Sequence, residues 1–455
     1  MITRRDLLHT GFGATALLLG VPRSLFARGR ARRPDGDRPY LEAARQAERW
    51  IRKSRIETAH GVTWLADPND PQSLGTSLYT HSPGVVLFLL ELYHTTGDAA
   101  YRDEACRGAD HLIGELEGGE GTGAGIGYNG LYTGLAGVAY SLERTSRVSG
   151  RGKYRAAADR ALRLLEQRAQ RVGAGVQWGD TTDIIFGGAG IGLTLLHAAR
   201  ALNDRAAGAL AVRAGHRLIE LALPAAGGLM WTMPEVPQQM PNFSHGTAGV
   251  AYFLATLYGD TREPAFLNAA LAGARYLLSI ARTERDVLLV YHHEGDGTDL
   301  FYLGWCHGPC GTARLFYRLG RVTADSTWLT WVRRAARGVM ESGIPEQRTP
   351  GFWNNVSQCC GDTAVAQFCL DLHRAVGDRA YLEFSRRATA DMLHRATTDG
   401  DGLKWIQAEH RVRPELLVAQ TGFMQGAAGM GTFLLQLDQF ERAGRPAIVL
   451  PDTPF

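Results

Sequence analysis

The strongest constraint on the fold is a short pattern that recurs seven times along the 455-residue chain. Each copy is a tight turn containing Gly-x-x-Gly or a close variant, followed by an apolar run such as 85–92 or 138–142. The copies begin at positions 81, 134, 187, 246, 308, 361 and 426, so successive copies start 53 to 65 residues apart. Such regular self-similarity indicates an architecture in which one supersecondary unit packs on the next.

Each repeat predicts a pair of helices. The run after the turn is apolar on nearly all sides, which is typical of a buried helix. Behind most of these runs lies an amphipathic pattern with mixed charge, which predicts an outer helix; these segments are 101–116, 154–165, 264–281, 328–340 and 381–393. Strands look scarce, and pieces such as 287–291 are assigned to loops. We therefore predict an all-α fold, an α/α toroid of seven inner and seven outer helices.

The repeat also bounds the domain organisation. Residues 40–447 are predicted to form a single domain, because two domains would require a break that the repeat does not show. Residues 1–33 are predicted to be a twin-arginine signal and leader, since Arg4 and Arg5 precede an apolar, glycine-bearing stretch. The protein is then exported to the periplasm or beyond, with an uncleaved anchor or a leader without targeting meaning as the alternatives. We expect no stable membrane span after signal removal.

Charge and cysteine content exclude several classes of protein. The 49 Lys and Arg nearly balance the 46 Asp and Glu, leaving a net charge of +3, so no bulk field favours nucleic acid. Six cysteines are too few for a disulfide scaffold in a chain of this length. Cys106 and Cys369 lie in helix-like patterns and are predicted to be buried. The other four cysteines cluster in two glycine-bearing turns.

These clustered cysteines predict a metal site. Cys306 sits two residues before the glycine that opens the fifth repeat, and Cys359 occupies the same place in the sixth, followed by Cys360. Neighbouring turns of a toroid lie side by side, so one ion is within reach of all three, with His307 as a possible competitor. Three thiolates select zinc and leave a fourth tetrahedral position for a substrate. The alternatives are small buried residues at a helix start, or a disulfide between Cys306 and either partner.

The repeated turns, with Trp-Cys-His-Gly in the fifth and a Cys-containing sixth, resemble those of the lanthionine synthetase C-like family over about 79–437. The resemblance implies zinc held by Cys306, Cys359 and, at the family's histidine position, Cys360. The Cys-Cys-Gly turn departs from the usual Cys-His-Gly, although one branch of lanthipeptide synthetases has a three-cysteine site.

The same resemblance implies roles for two further residues. His245 matches the family's acid/base histidine, and Asp183 matches its catalytic aspartate. Tyr302 stands where the cyclases have an arginine, and His307 could supply part of the missing function. The implied reaction adds a cysteine thiol to dehydroalanine or dehydrobutyrine and forms a thioether, with a peptide or small thiol as substrate. No dehydratase region is visible in the sequence.

Other interpretations stay open at this point. One is a noncatalytic relative that binds thiols or peptides on a retained zinc; another is a carbohydrate-active toroid that uses paired carboxylates. His245 could be a structural histidine, and Asp183 a helix cap. Candidate carboxylates for the carbohydrate enzyme are Asp180, Asp183, Glu235 and Asp362. Four tryptophans are predicted either to line the cleft or to pack in the core: Trp231, Trp305, Trp353 and Trp405.

Overall fold

Seven almost wholly buried helices form the inner wall of the protein. The structure is a computed structural model that describes residues 38–121, 125–234 and 238–455, without the side chains of 119–121. The predicted signal at 1–33 lies outside the described residues. The inner helices are α2 (Ser82–Thr96), α4 (Leu135–Ser149), α6 (Gly188–Ala201), α8 (Thr247–Thr261), α10 (Pro309–Thr323), α12 (Asp362–Val376) and α14 (Ala427–Glu441).

Seven outer helices cover this wall, and each packs on an inner neighbour. They are α1 (Pro39–Arg52), α3 (Ala99–Gly121), α5 (Gly152–Arg168), α7 (Arg205–Glu220), α9 (Pro264–Ile280), α11 (Thr327–Met340) and α13 (Arg379–His394). The ring closes because α1, at the start of the described chain, packs against α14 at its end. The prediction of an all-α toroid is confirmed, and the seventh outer helix precedes the first repeat instead of following the last.

Close packing at the turns explains why the motif needs its second glycine. A Cβ atom added at Gly137, Gly190 or Gly249 would lie 2.3, 2.0 or 2.1 Å from the backbone carbonyl oxygen six residues earlier. Contacts that short are sterically forbidden, so any side chain would push the helix off its turn. Glycine at this place lets the turn fold tightly beneath the first residues of six of the inner helices, whereas α12 has Ala364 there.

A closed ring of backbone hydrogen bonds joins the seven turns. The donor in six turns is the residue two places before the helix N-cap. Its backbone N–H bonds to the carbonyl of the equivalent residue in the next turn. In the third turn the donor is Ile184, one residue earlier. The bonds run Tyr79 to Tyr132 (2.9 Å), Tyr132 to Ile185 (3.2 Å), Ile184 to Ser244 (3.1 Å), Ser244 to Cys306 (2.9 Å), Cys306 to Cys359 (3.2 Å), Cys359 to Met424 (2.9 Å) and Met424 to Tyr79 (2.8 Å). Sequence register in the repeat therefore fixes position around the ring.

Short antiparallel hairpins connect many of the helices. They are β1 (Arg55–Glu57) with β2 (Val62–Trp64), β3 (Gln170–Val172) with β4 (Gly175–Gln177), β5 (Leu223–Ala225) with β6 (Gly228–Met230), β7 (Thr397–Asp399) with β8 (Gly402–Lys404), and β9 (Gln407–Ala408) with β10 (Leu417–Val418). A 3₁₀ turn covers Glu284–Asp286. The first four hairpins each follow an outer helix.

A tryptophan after three of these hairpins ties the connection to the preceding outer helix. The indole N–H of Trp178, Trp231 and Trp405 donates to a helix carbonyl 13 residues earlier, at 2.7, 2.6 and 2.8 Å. The indole and the carbonyl thus satisfy each other where neither can reach water easily.

The C-terminal segment packs into the toroid. Asp452 is fully buried, and one of its carboxylate oxygens accepts hydrogen bonds from Tyr132, Trp305 and Arg314 at 3.2, 3.0 and 3.1 Å. The end of the chain is therefore part of the core. Within the described residues, no helix combines the length and the apolar character that a membrane crossing requires.

Candidate metal centre and its histidines

Three buried thiols meet where the fifth and sixth turns lie side by side. The Sγ of Cys360 lies 3.2 Å from that of Cys306 and 3.3 Å from that of Cys359, and all three sulfurs are within 4.8 Å of one another. The ring of backbone bonds causes this proximity, because Cys306 donates directly to the carbonyl of Cys359. All six cysteines are free thiols, so the structure does not contain the disulfide that was the alternative to a metal site.

Hydrogen bonds join the three thiols and shift their pKa values in different directions. Burial raises the pKa of Cys306 well above that of an exposed thiol, and hydrogen bonding with its two neighbours raises that of Cys360. Burial also opposes ionisation of Cys359, but hydrogen bonds from both thiols and from the Tyr79 phenol outweigh it and lower its pKa. The cluster can thus hold one negative charge alone, whereas a bound divalent cation would ionise all three.

The geometry fits a zinc ion. Sulfurs about 2.3 Å from one tetrahedral zinc are roughly 3.8 Å apart, so the two short separations would need to open by about half an ångström. The three thiols come from short turns, where side-chain rotation can supply this movement. Cys306, Cys359 and Cys360 would hold the ion, and His307 is not among the groups that converge on it within the described residues.

A histidine–aspartate pair lies in the third and fourth turns, close to the thiols in the ring. Asp183 is fully buried; its Oδ2 lies 2.7 Å from His245 Nδ1, and its Oδ1 accepts from the backbone N–H groups of Phe186 and Gly187. Asp183 therefore caps the turn and orients His245 at once. His245 is 22% exposed and stacks on Phe186 at 6.0 Å between ring centroids, so one face of the site is open.

His307 continues this group of rings. Its centroid lies 5.6 Å from that of His245 and 4.3 Å from that of His292. Burial, followed by the charges of His292 and His245, lowers the pKa of His307 well below its usual range. Its Nδ1 is buried without a hydrogen-bond partner in the described structure. His307 is therefore a neutral ring at neutral pH.

Comparison with known proteins identifies the family and the fold of this chain. A family model described as "Lanthionine synthetase C-like protein" matches residues 72–450. The chain belongs to this family. Nisin cyclase is similar in structure, with a TM-score of 0.59 and 18% identity over 81% of this chain and 89% of that chain, which shows a shared fold. The α-1,6-mannanase from Salegentibacter sp. HEL1_6 gives a TM-score of 0.47 and 14% identity over 88% of this chain and 99% of that chain. No curated protein sequence matches the chain.

One arginine at the site of this lanthionine synthetase C-like chain was not predicted from the sequence. Arg411, in the loop between β9 and β10, donates from Nε to the Tyr302 hydroxyl at 3.3 Å. Burial raises the pKa of Tyr302 to about 12, so the phenol stays protonated. Arg411 is 109 residues from Tyr302 and carries no repeat signature. Only the folded chain brings the two together.

The four tryptophans pack in the core, which decides between the two alternatives that the sequence left open. They are at most 8% exposed. Each indole N–H is also used within the protein: Trp231 and Trp405 donate to outer helices, Trp305 to Asp452, and Trp353 to the carbonyl of Ala408. For Trp231 and Trp405, the sequence signal that could have shown this is their spacing of 13 residues from a residue of the outer helix; Trp305 and Trp353 carry no such signal.

The carboxylates considered for a carbohydrate enzyme have separate partners. Asp180 is exposed and bonds to Gln177, whereas buried Asp362 pairs with Arg348 at 3.0 Å. Asp183 is committed to His245, and Glu235 lies outside the described residues. Among the described candidates, these contacts do not form a catalytic carboxylate pair.

Proposed function

We propose that this protein forms thioethers by adding a thiol to dehydroalanine or dehydrobutyrine in a peptide. The observation that carries the proposal is the convergence of three buried thiols in the same ring of turns as an oriented His245–Asp183 pair. Family membership supports a cyclase-like role for this arrangement. Such an addition requires an ionised thiol and a proton donor; a metal at the three cysteines would supply the first and His245 the second.

Cys306, Cys359 and Cys360 would hold the metal. Zinc, when bound there, supplies the Lewis acidity that ionises a coordinated substrate thiol near neutral pH. The three protein thiols leave one tetrahedral position for that substrate sulfur. Burial of the cluster limits competition from water at this position.

His245 would handle the proton on the acceptor side. Because Asp183 accepts from Nδ1, Nε2 is the nitrogen left to face a substrate. When the thiolate forms a bond to the β-carbon, the double-bond electrons move to an enolate, and protonated His245 gives its Nε2 proton to the α-carbon. One proton leaves the thiol and one proton from solvent returns to His245, so the number of protons is unchanged. The addition is balanced and needs no further reactant.

The test is thiol addition to a synthetic peptide that contains dehydroalanine, measured with zinc content on the same samples. We expect one zinc per chain and catalysed addition in the parent, and loss of both in Cys306→Ala and Cys360→Ala. Cys369→Ala is the matched control, because Cys369 is equally buried but lies outside the cluster. Zinc-loaded parent protein without catalysed addition would contradict the proposal.

That last outcome would favour the second candidate, a zinc protein that binds thiols or peptides without reacting. Tyr302 at the position of the expected arginine is the observation in its favour. Retained affinity for a thiol-containing peptide, lost in Cys306→Ala, would then identify it.

A further inference from the structure

Beside the thiol cluster, two adjacent histidines and an aspartate run from the site to the surface. His292 packs its ring on Tyr302 and His307, with centroids 4.2 and 4.3 Å away. Its Nδ1 lies 2.7 Å from Nδ1 of His293, whose Nε2 lies 3.0 Å from Asp296 Oδ1. The His293 side chain is 15% exposed and that of Asp296 is 92% exposed. The row therefore starts among the rings of the site and ends in water.

In the neutral form of each ring, the hydrogen-bond partners determine which nitrogen carries the proton. Asp296 has only acceptors, so His293 carries its proton on Nε2 and accepts on Nδ1. His292 must then donate from Nδ1. Its Nε2 is left with a lone pair, and this atom has no hydrogen-bond partner among the described residues. His292 is thus set up as a proton acceptor.

The loop that carries these residues is held in place on both sides. The backbone N–H of His292 donates to the carbonyl of Leu300 at 2.7 Å. The carbonyl before it, on Tyr291, accepts from the side chain of buried Asn242, which lies three residues before His245. A Cβ at Gly297 would lie 2.1 Å from His293 Nδ1, so glycine there leaves room for the His293 ring in this position. The fold therefore sets the positions of His292 and His293 next to each other.

We propose that His292, His293 and Asp296 form a relay that carries the proton of an incoming thiol from the site to solvent. This inference rests on the proposed thiol addition. His292 Nε2 takes the proton from the S–H bond, His292 Nδ1 passes its proton to His293 Nδ1, and His293 Nε2 releases its proton to Asp296 and water. The electron pair of the S–H bond stays on sulfur, and solvent returns one proton to His245.

The charged and titratable groups around His292 favour transfer of a proton onward to His293 over its retention on the His292 ring. Burial, then the charges of His293, Arg411 and His245, lowers the pKa of His292 to about 4. The remaining neighbours are neutral: Tyr302 keeps its proton, and the pKa of His307 is lowered. A proton accepted by His292 is consequently passed outward instead of being retained.

The kinetic test uses full-length, zinc-loaded protein. We expect His292→Ala to lower kcat on the order of 10²-fold, the range of a positioned acid or base, and His293→Ala to lower it less, with zinc content and melting temperature unchanged. A methylated imidazole buffer should restore part of each loss in a concentration-dependent way, because it replaces the missing carrier. His216→Ala is the control, since His216 makes a similar contact with Glu263 at 3.4 Å between two outer helices. Parent-level kcat in both site variants would overturn the relay, as would losses that buffer does not restore.

A second readout does not depend on activity. Nitrogen-15 spectra of histidine-labelled protein should show His292 protonated at Nδ1 and unprotonated at Nε2 at neutral pH, and His293→Ala should disturb that tautomer. Protonation of His292 at Nε2 would overturn the relay. If the parent catalyses no thiol addition, the proposed function fails, and the spectra still decide whether the relay exists. If the parent is active and the relay variants match it, the relay fails alone.

Discussion

Neutralising Asp452 tests whether the C-terminal segment stabilises the toroid through a buried charge. The three donors on Asp452 are all bound by Oδ2, and the Arg314 side chain is 8% exposed. Asparagine in place of Asp452 can keep the accepting oxygen and all three donors. Asp452→Asn therefore removes the charge while it leaves the shape and the hydrogen bonds nearly intact.

The expected cost follows from the guanidinium that is left behind. An uncompensated charge in a buried pair destabilises a protein by about 3–5 kcal/mol. Arg314 keeps a bond to the Asp452 carbonyl at 2.9 Å and lies 5.5 Å from the Phe243 ring, which both offset part of this cost. We expect Asp452→Asn to lower the free energy of unfolding by about 3 kcal/mol, the lower end of that range.

Urea unfolding followed by tryptophan fluorescence measures the effect. Arg314→Met combined with Asp452→Asn should cost less than the two single changes added together, by about 2 kcal/mol, because the contacting groups are coupled. Asp399→Asn is the control: this partly exposed carboxylate pairs with Lys53 and Lys404, and its loss should leave the urea midpoint nearly unchanged. A cost below about 1 kcal/mol for Asp452→Asn, or strictly additive single changes, would refute the reasoning.

Four further outcomes are expected. Cys360→His should retain one zinc per chain by metal analysis, because imidazole is also a good zinc ligand. His245→Asn should keep zinc but lower the turnover of thiol addition by about 10²-fold or more, and loss of metal would instead make the histidine a ligand. Burial opposes ionisation of Glu143, but the His197 imidazole and the Arg144 guanidinium outweigh it and lower the pKa of Glu143 to about 2. This carboxylate therefore stabilises the fold above about pH 4.5 and loses its contribution as the pH falls towards 2. The difference in unfolding free energy between the parent and Glu143→Gln should accordingly disappear over that pH range. Replacing Arg4 and Arg5 by lysine should hold a reporter fusion in the cytoplasm, and unchanged export would remove the twin-arginine hypothesis.

The inner ring could be predicted from sequence because each inner helix carries its own marker. A glycine turn followed by an apolar run has one physical meaning, a buried helix that begins at a tight contact. α1 has no such marker, and a closed ring has no natural first repeat. The chain begins its described part with an outer helix, so a pattern that starts at each turn leaves α1 unassigned.

The three thiols could be predicted because register determines position. Cys306 and Cys359 occupy the same place in consecutive repeats, and the ring of backbone bonds makes those places neighbours. His292 and Arg411 escaped prediction because they lie in connecting loops, where no repeat fixes the register. Their distance from the cluster depends on the paths of those loops, which the helical periodicity does not encode.

The seven turns have equivalent positions but different side chains, and this difference explains where the candidate site lies. All seven turns offer equivalent places, yet the thiols and the oriented histidine occupy three consecutive turns, the fourth to the sixth. Turns one, two and seven have Tyr79, Tyr132 and Met424 at the place of Cys306 and Cys359. Backbone bonds hold every turn alike, so side chains can differ between turns without disturbing the ring. Polar side chains can therefore lie together in one part of the ring. Two connecting loops bring His292 and Arg411 into contact with Tyr302 in the same part, a placement that the repeat alone does not determine.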